Sequence, residues 1–243
     1  MTAASQPDTS AESTVVPVIL GVALGHFLND LMQSLIPAAY PLLKENLALS
    51  FTQIGLVTFV FQGTASVLQP LVGLYTDRRP LPFAMAAGMA STGTGLVLLA
   101  HAASFAMVLL SVAFIGLGSA IFHPEASRIA RLAAGMRPGF AQSVFQVGGN
   151  AGSALGPLAA AFIVLERGQV SIEWFAAVAL AAMLVLYAVG RWYRSAGATR
   201  AANRKARAAT TAPAPHVVRR GMAILILLMV SKFVYSVSFS SYY

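Results

Sequence analysis

Seven apolar stretches, each near the length that crosses a bilayer, dominate this chain and leave it few ways to fold. Read in windows of about 20 residues, the run that spans roughly 30 Å of hydrocarbon, they cover about Val18–Leu43, Phe51–Tyr75, Leu81–Ala100, Phe105–Phe122, Phe140–Leu165, Ile172–Tyr193 and Met222 to the end. Inside lipid every backbone N–H and C=O must find a partner within the protein, so continuous apolar runs of this kind form helices. The breaks between them are short and polar or turn-forming: Lys44-Glu45-Asn46, Asp77-Arg78-Arg79-Pro80, His101 to Ser104, Arg137-Pro138-Gly139 and Glu166-Arg167-Gly168. Residues 1–14 are polar and contain no Lys or Arg, unlike a secretory signal; they are expected to be a disordered tail before a retained first span. The sequence therefore divides into that tail, a six-span unit over 15–194, a linker over 195–220 rich in Ala, Arg, Thr and Pro, and a seventh span over 221–243.

With 57% hydrophobic and 10% charged residues, the chain falls outside the range of soluble domains. It holds no cysteine, which excludes disulfides and cysteine-ligated metal or iron–sulfur sites. No H-E-x-x-H, G-x-S-x-G or phosphate-loop pattern occurs, so an enzyme is not expected, nor a cofactor, nor a metal. Of the 16 Lys and Arg, 13 lie in the connections 2–3, 4–5 and 6–7, namely Arg78, Arg79, Arg128, Arg131, Arg137 and eight from Arg191 to Arg220. The positive-inside rule then places those connections, the linker and the amino terminus in the cytoplasm. On a membrane protein this basic linker reads as topology and attraction to anionic lipid, not as a nucleic-acid site.

Charge and amides inside an apolar span are costly and mark function by default. His26, Asn29, Asp30 and Gln33 fall within an arc of about 100° on the first span, one stripe that reads as cavity lining. Coupling transport to protons needs a group that is neutral in one state and charged in the other. Desolvation favours the neutral form of a carboxylate, and histidine titrates nearest neutrality unaided. Asp30 and His26 suit this role, with a fixed hydrogen-bonded pair as the structural reading. His123 and Glu125 are further coupling candidates on the fourth span. Glu125 lies about 20 residues after the start of that span, toward the cytoplasmic side, where Arg128 is a gating partner for it. Gln142, Gln146 and Asn150 recur every four residues and share a face of the fifth span, where amides can bind substrate or join helices. Lys232 adds a cation in the seventh span that can attract an anionic substrate or pair with a carboxylate such as Asp30.

Two internal echoes suggest repeats. Ser66-Val67-Leu68-Gln69-Pro70-Leu71 in span 2 is matched by Ser153-Ala154-Leu155-Gly156-Pro157-Leu158 in span 5, and spans 1 and 4 each set a histidine before an acid, His26 with Asp30 and His123 with Glu125. These equivalences are those of two inverted three-helix repeats. The segments Gly25-His26-Phe27-Leu28-Asn29-Asp30, Phe122-His123-Pro124-Glu125-Ala126 and Phe145-Gln146-Val147-Gly148-Gly149-Asn150 resemble the major facilitator superfamily, and within it the fosmidomycin resistance group of drug efflux proteins. Gly73, Asp77 and Arg78 are similar to the start of that superfamily's loop 2–3 signature, although Arg79-Pro80-Leu81 departs from its continuation. The arginine that many superfamily antiporters carry before the fourth-span glycines is replaced here by Val112.

The resemblance implies an all-α membrane protein with a six-helix amino-terminal bundle of the major facilitator type, a cytoplasmic linker, and the start of a second half. It implies proton-coupled efflux of a small drug-like or anionic compound across the cell membrane, with the lipid bilayer, protons and a carboxy-terminal half as partners. Asp77, Arg78 and Arg128 are the gating candidates; Asn29, Gln33, Gln142, Gln146, Asn150 and Lys232 the substrate candidates. The alternative is a truncated, non-transporting fragment that dimerises or interferes with a full-length transporter.

Overall fold

The computed structural model describes residues 13–197, 199 and 214–242. The expected tail, apart from Ser13 and Thr14, and most of the expected linker lie outside the described residues. The chain divides into two compact units, Met1–Ala201 and Ala202–Tyr243.

In the first unit the helices are α1 (Val16–Ala38), α2 (Tyr40–Asn46), α3 (Phe51–Arg78), α4 (Ala84–Ala100), α5 (Phe105–Ala133), α6 (Pro138–Ala159) and α7 (Trp174–Trp192). The second unit contains α8 (Pro215–Tyr242). Among the described residues no strand occurs. Among the described residues, five helical segments are long and apolar enough to cross a membrane: Val16–Ala38, Phe51–Arg78, Phe105–Ala133, Pro138–Arg167 and Gln169–Ser195. The helix Ala84–Ala100 is also apolar but has only 17 residues.

Local chemistry explains where these helices begin and end. Ser50 caps α3 by accepting from the Gln53 N–H at 3.2 Å while its own N–H donates to Gln53 Oε1 at 2.8 Å, a reciprocal capping box. Ser104 caps α5 through the Met107 N–H. Pro17 and Pro138 occupy first-turn positions, where a missing N–H costs nothing. The first apolar stretch, expected to run unbroken to Leu43, instead divides at Ala39. Pro41 there has no N–H to give, and its ring opposes the carbonyl four residues back, at Pro37.

The fourth stretch departs from expectation in the other direction. It continues past Phe122 and through Pro124 to Ala133, so Arg128 and Arg131 lie on α5 and not in a connection. Burial of Ala126, Ile129, Ala130 and Ala133 carries the helix onward, and proline is tolerated where neighbouring helices re-satisfy the backbone. The end of α5 is closed by the start of the chain: the Val15 N–H donates to Ala133 O at 2.8 Å and Thr14 Oγ1 to Ala134 O at 2.9 Å. Similarly, α8 begins at Pro215, within the segment expected to be linker.

Packing follows the repeat suggested by sequence. α1 packs chiefly on α6, as α5 packs on α3; α4 meets α5, as α7 meets α1. Exchanging α1, α3 and α4 for α5, α6 and α7 maps each of these contacts onto another, the pattern of two inverted three-helix repeats. Pro70 and Pro157, matched in the sequence echo, both sit inside their helices.

Close approach of α1 to α6 rests on glycine. A Cβ at Gly148 would collide with the Ala23 carbonyl, at Gly149 with the His26 ring, and at Gly152 with the Phe27 carbonyl. Small residues that let backbones approach are how helices associate where lipid removes the hydrophobic incentive. This contact places His26 and Asp30 against α6.

Candidate functional site

Asp30 lies near the middle of α1 with its side chain 19% exposed, between two imidazoles. One turn earlier on the same helix, His26 brings Nε2 to 3.3 Å from Asp30 Oδ2. From α5, His123 brings its Nε2 to 3.4 Å from Oδ1. The two rings stand edge to face with centroids 5.2 Å apart. Asn29 Nδ2 donates to Asp30 Oδ1 at 3.0 Å, and Ser153 Oγ on α6 donates to Oδ2 at 3.4 Å. The cluster therefore joins α1, α5 and α6.

Backbone carbonyls fix both rings. His26 Nδ1 lies 2.8 Å from Phe145 O, and the His26 ring stacks on the Phe145 ring at 4.0 Å. His123 Nδ1 lies 3.0 Å from Ser119 O. Carbonyl and carboxylate oxygens both accept, so each ring stands with an acceptor at both nitrogens. A neutral imidazole has one N–H to give, to the carbonyl or to the carboxylate. Only with a second proton does a ring donate to both.

A second buried acid, Glu125 on α5, has a different environment. Its side chain is 1% exposed and accepts a short hydrogen bond from Arg128 Nη2, one turn away. Arg128 Nη1 also donates to Thr76 O at 2.7 Å and lies 3.8 Å from Asp77 Oδ1, both at the end of α3. The guanidinium covers the Tyr193 ring with its carbon 5.5 Å from the centroid. Arg78, the last residue of α3, is exposed and lies outside this cluster.

The other sequence candidates separate by burial. Asn29 is wholly buried, and its Oδ1 has no hydrogen-bond partner. Gln33 is partly buried and donates to Ile115 O at 3.3 Å, tying α1 to α5. Gln142, Gln146 and Asn150 are exposed along α6, on the side that carries Ser153 toward Asp30. Lys232 is on α8, and its side chain lies outside the described residues. Three participants were not among the sequence candidates for the site: Ser153, the Phe145 carbonyl and Gly149. Likewise unforeseen, His101 pairs with Glu173 at 2.8 Å between exposed connections.

Apolar helices of spanning length, packed as inverted repeats around a carboxylate and two histidines, define a multi-pass membrane protein with titratable groups in its interior. Residues 22–243 match the Major Facilitator Superfamily, and the chain belongs to that family. It is 46% identical over 241 residues to the fosmidomycin resistance protein of Escherichia coli (strain K12), a match covering 99% of this chain and 59% of that protein. It is likewise 46% identical over 183 residues to the uncharacterized MFS-type transporter YfnC of Bacillus subtilis (strain 168), covering 75% of this chain and 45% of that protein. The chain thus spans about half the length of the curated relatives it matches. The fold is shared with the peptide transporter POT, solved in complex with sulfate, at a TM-score of 0.59 and 20% identity over 90% of this chain and 44% of that one.

Proposed function

We propose that this chain forms the amino-terminal half of a proton-coupled exporter that moves a small drug-like or anionic compound out across the cell membrane. The observation that carries the reading is Asp30 held between the Nε2 atoms of two histidines. Such a group takes up protons one at a time, and its partial exposure gives them a path. Incoming protons let each ring donate to its carbonyl and to Asp30 at once, and change the charge that substrate meets. Exchange follows if substrate and protons favour different states of the cluster.

Substrate is assigned to the exposed polar side of α6, where Gln142, Gln146 and Asn150 run toward Ser153 and Asp30, with Gln33 behind them. A carboxy-terminal half supplies the surface against which the bundle moves in alternating access. The cluster of Glu125, Arg128 and Asp77, with Arg78 beside it, serves as the gate at the end of α3. The distribution of Lys and Arg supports a cytoplasmic amino terminus. That a relative at 46% identity is named for fosmidomycin resistance supports export of a small antibiotic-like molecule.

Reconstitution of the protein from its complete gene into proteoliposomes tests this. An imposed proton gradient drives accumulation of fosmidomycin in inverted vesicles, and Asp30→Asn removes it while leaving membrane insertion intact. Gradient-driven uptake that survives in Asp30→Asn overturns the assignment.

A further inference from the structure

We propose that His26, Asp30 and His123 also form a binding site for one divalent cation of the zinc class, taken up in place of the protons. Among the described residues these three are the group of histidine and carboxylate side chains whose ligand atoms converge, all lying within 4.8 Å of one another. The donor set, two imidazoles and one carboxylate, is suited to borderline first-row cations and disfavours magnesium and calcium, which take oxygen.

Spacing supports the same conclusion. A tetrahedral zinc ion with bonds of about 2.0–2.1 Å separates neighbouring ligand atoms by about 3.3 Å. His26 Nε2 lies 3.3 Å from Asp30 Oδ2 and His123 Nε2 3.4 Å from Oδ1, so each ring already stands at that separation from one oxygen of the carboxylate. With a single oxygen as ligand, the edges to the second ring close from within 4.8 Å, which the partly exposed His123 on a separate helix permits.

The outer contacts are those a metal site needs. Ligating histidines donate their other ring N–H to a carbonyl or carboxylate, which fixes the tautomer and aims the lone pair. Both rings have such a carbonyl at Nδ1, Phe145 O at 2.8 Å for His26 and Ser119 O at 3.0 Å for His123. The His26 ring is further held by stacking on Phe145 and by the absence of a Cβ at Gly149. With neutral imidazoles the set carries one negative charge, so a dication is welcome where a third positive group is absent. Beside it stands Asn29, wholly buried, with an amide oxygen that has no hydrogen-bond partner. The Glu125 cluster offers no such site, because Arg128 sets a fixed positive charge against that carboxylate and no second metal-ligating side chain converges on it among the described residues.

The binding claim stands on geometry alone; only its consequence for transport rests on the exchange reading above. The untagged full chain, purified in detergent micelles near neutral pH, is titrated with Co2+ by visible absorption and with Zn2+ by calorimetry. One equivalent binds, and Zn2+ displaces Co2+. His123→Gln weakens binding more than about 100-fold, beyond the cost of losing an outer hydrogen-bond partner, while His101→Gln leaves it unchanged. Equal affinity in wild type and His123→Gln, or no binding to the folded wild-type chain, overturns the site. In proteoliposomes Zn2+ suppresses proton-driven export. A bound equivalent in a protein that shows no proton-driven export upholds the site and removes the exchange reading. Proton-driven export with no bound equivalent does the reverse.

Discussion

Two carboxylates inside the helix bundle, one in each repeat, differ in the company they keep. Asp30 on α1 faces two histidines, whereas Glu125 on α5 faces an arginine. A guanidinium stays charged at any physiological pH, so the Glu125–Arg128 pair is a permanent clamp whose loss leaves a charge stranded. An imidazole exists in neutral and charged forms, so the charge of the Asp30 cluster is not fixed by its partners. The same fold element, repeated, thus provides a fixed fastening and a variable one. Partner choice decides which is which.

The sharpest way to break this contrast is Arg128→Ala, which strands Glu125 in a site where it is 1% exposed. We expect a loss of about 3–5 kcal/mol, read as thermal stability in detergent, with the double change Glu125→Leu, Arg128→Met recovering most of it. A loss below 1 kcal/mol would mean the pair is not a clamp. Next in size is Gly149→Ala, whose Cβ overlaps the His26 ring. Overpacking there costs about 1–3 kcal/mol and displaces His26, so proton-driven uptake falls even where folding is retained. Gly93→Ala, whose new Cβ meets only the Ala179 Cβ at 3.1 Å, serves as its comparison.

Asp30→Asn tests the other arm. Its stability cost is about 1 kcal/mol or less, because the amide keeps a polar group at the junction, while proton-driven uptake disappears. A melting change as large as that of Arg128→Ala would instead make Asp30 a second clamp. The smallest effect belongs to Ser153→Ala, which removes one long hydrogen bond to Asp30 Oδ2 at 3.4 Å. About 0.5 kcal/mol or less is expected, with the pH midpoint of transport shifted and its maximal rate preserved.

Much of this was readable from residue order. Hydropathy windows located the apolar helices, and helical spacing placed His26 and Asp30 on one stripe, whereas Arg128, expected in the connection after span 4, shares a helix face with Glu125 only because α5 runs on to Ala133. The same rule shows why the sequence echo misleads at His123. Two positions apart on a helix, His123 and Glu125 point away from each other, and His123 turns instead to Asp30 across the α1–α5 contact. That pairing depends on how two helices cross, which no local pattern encodes. The Phe145 carbonyl is invisible for a related reason: a backbone oxygen carries no residue-type signal. The continuation of α5 past Pro124 was hidden because a proline reads as a stop until the neighbours that satisfy its backbone are known.

The two imidazole contacts to Asp30 also act together as a gauge of displacement. His26 and Asp30 share α1, so their 3.3 Å separation is insensitive to how the helices move as bodies. His123 reaches Asp30 from the other repeat, so a slide of α5 along α1 of an ångström or so stretches that 3.4 Å contact beyond hydrogen-bond reach. One contact is the reference mark and the other the moving pointer. A spectroscopic label sensitive to the His123 ring would therefore register relative motion of the two repeats directly, with His26 as its internal standard.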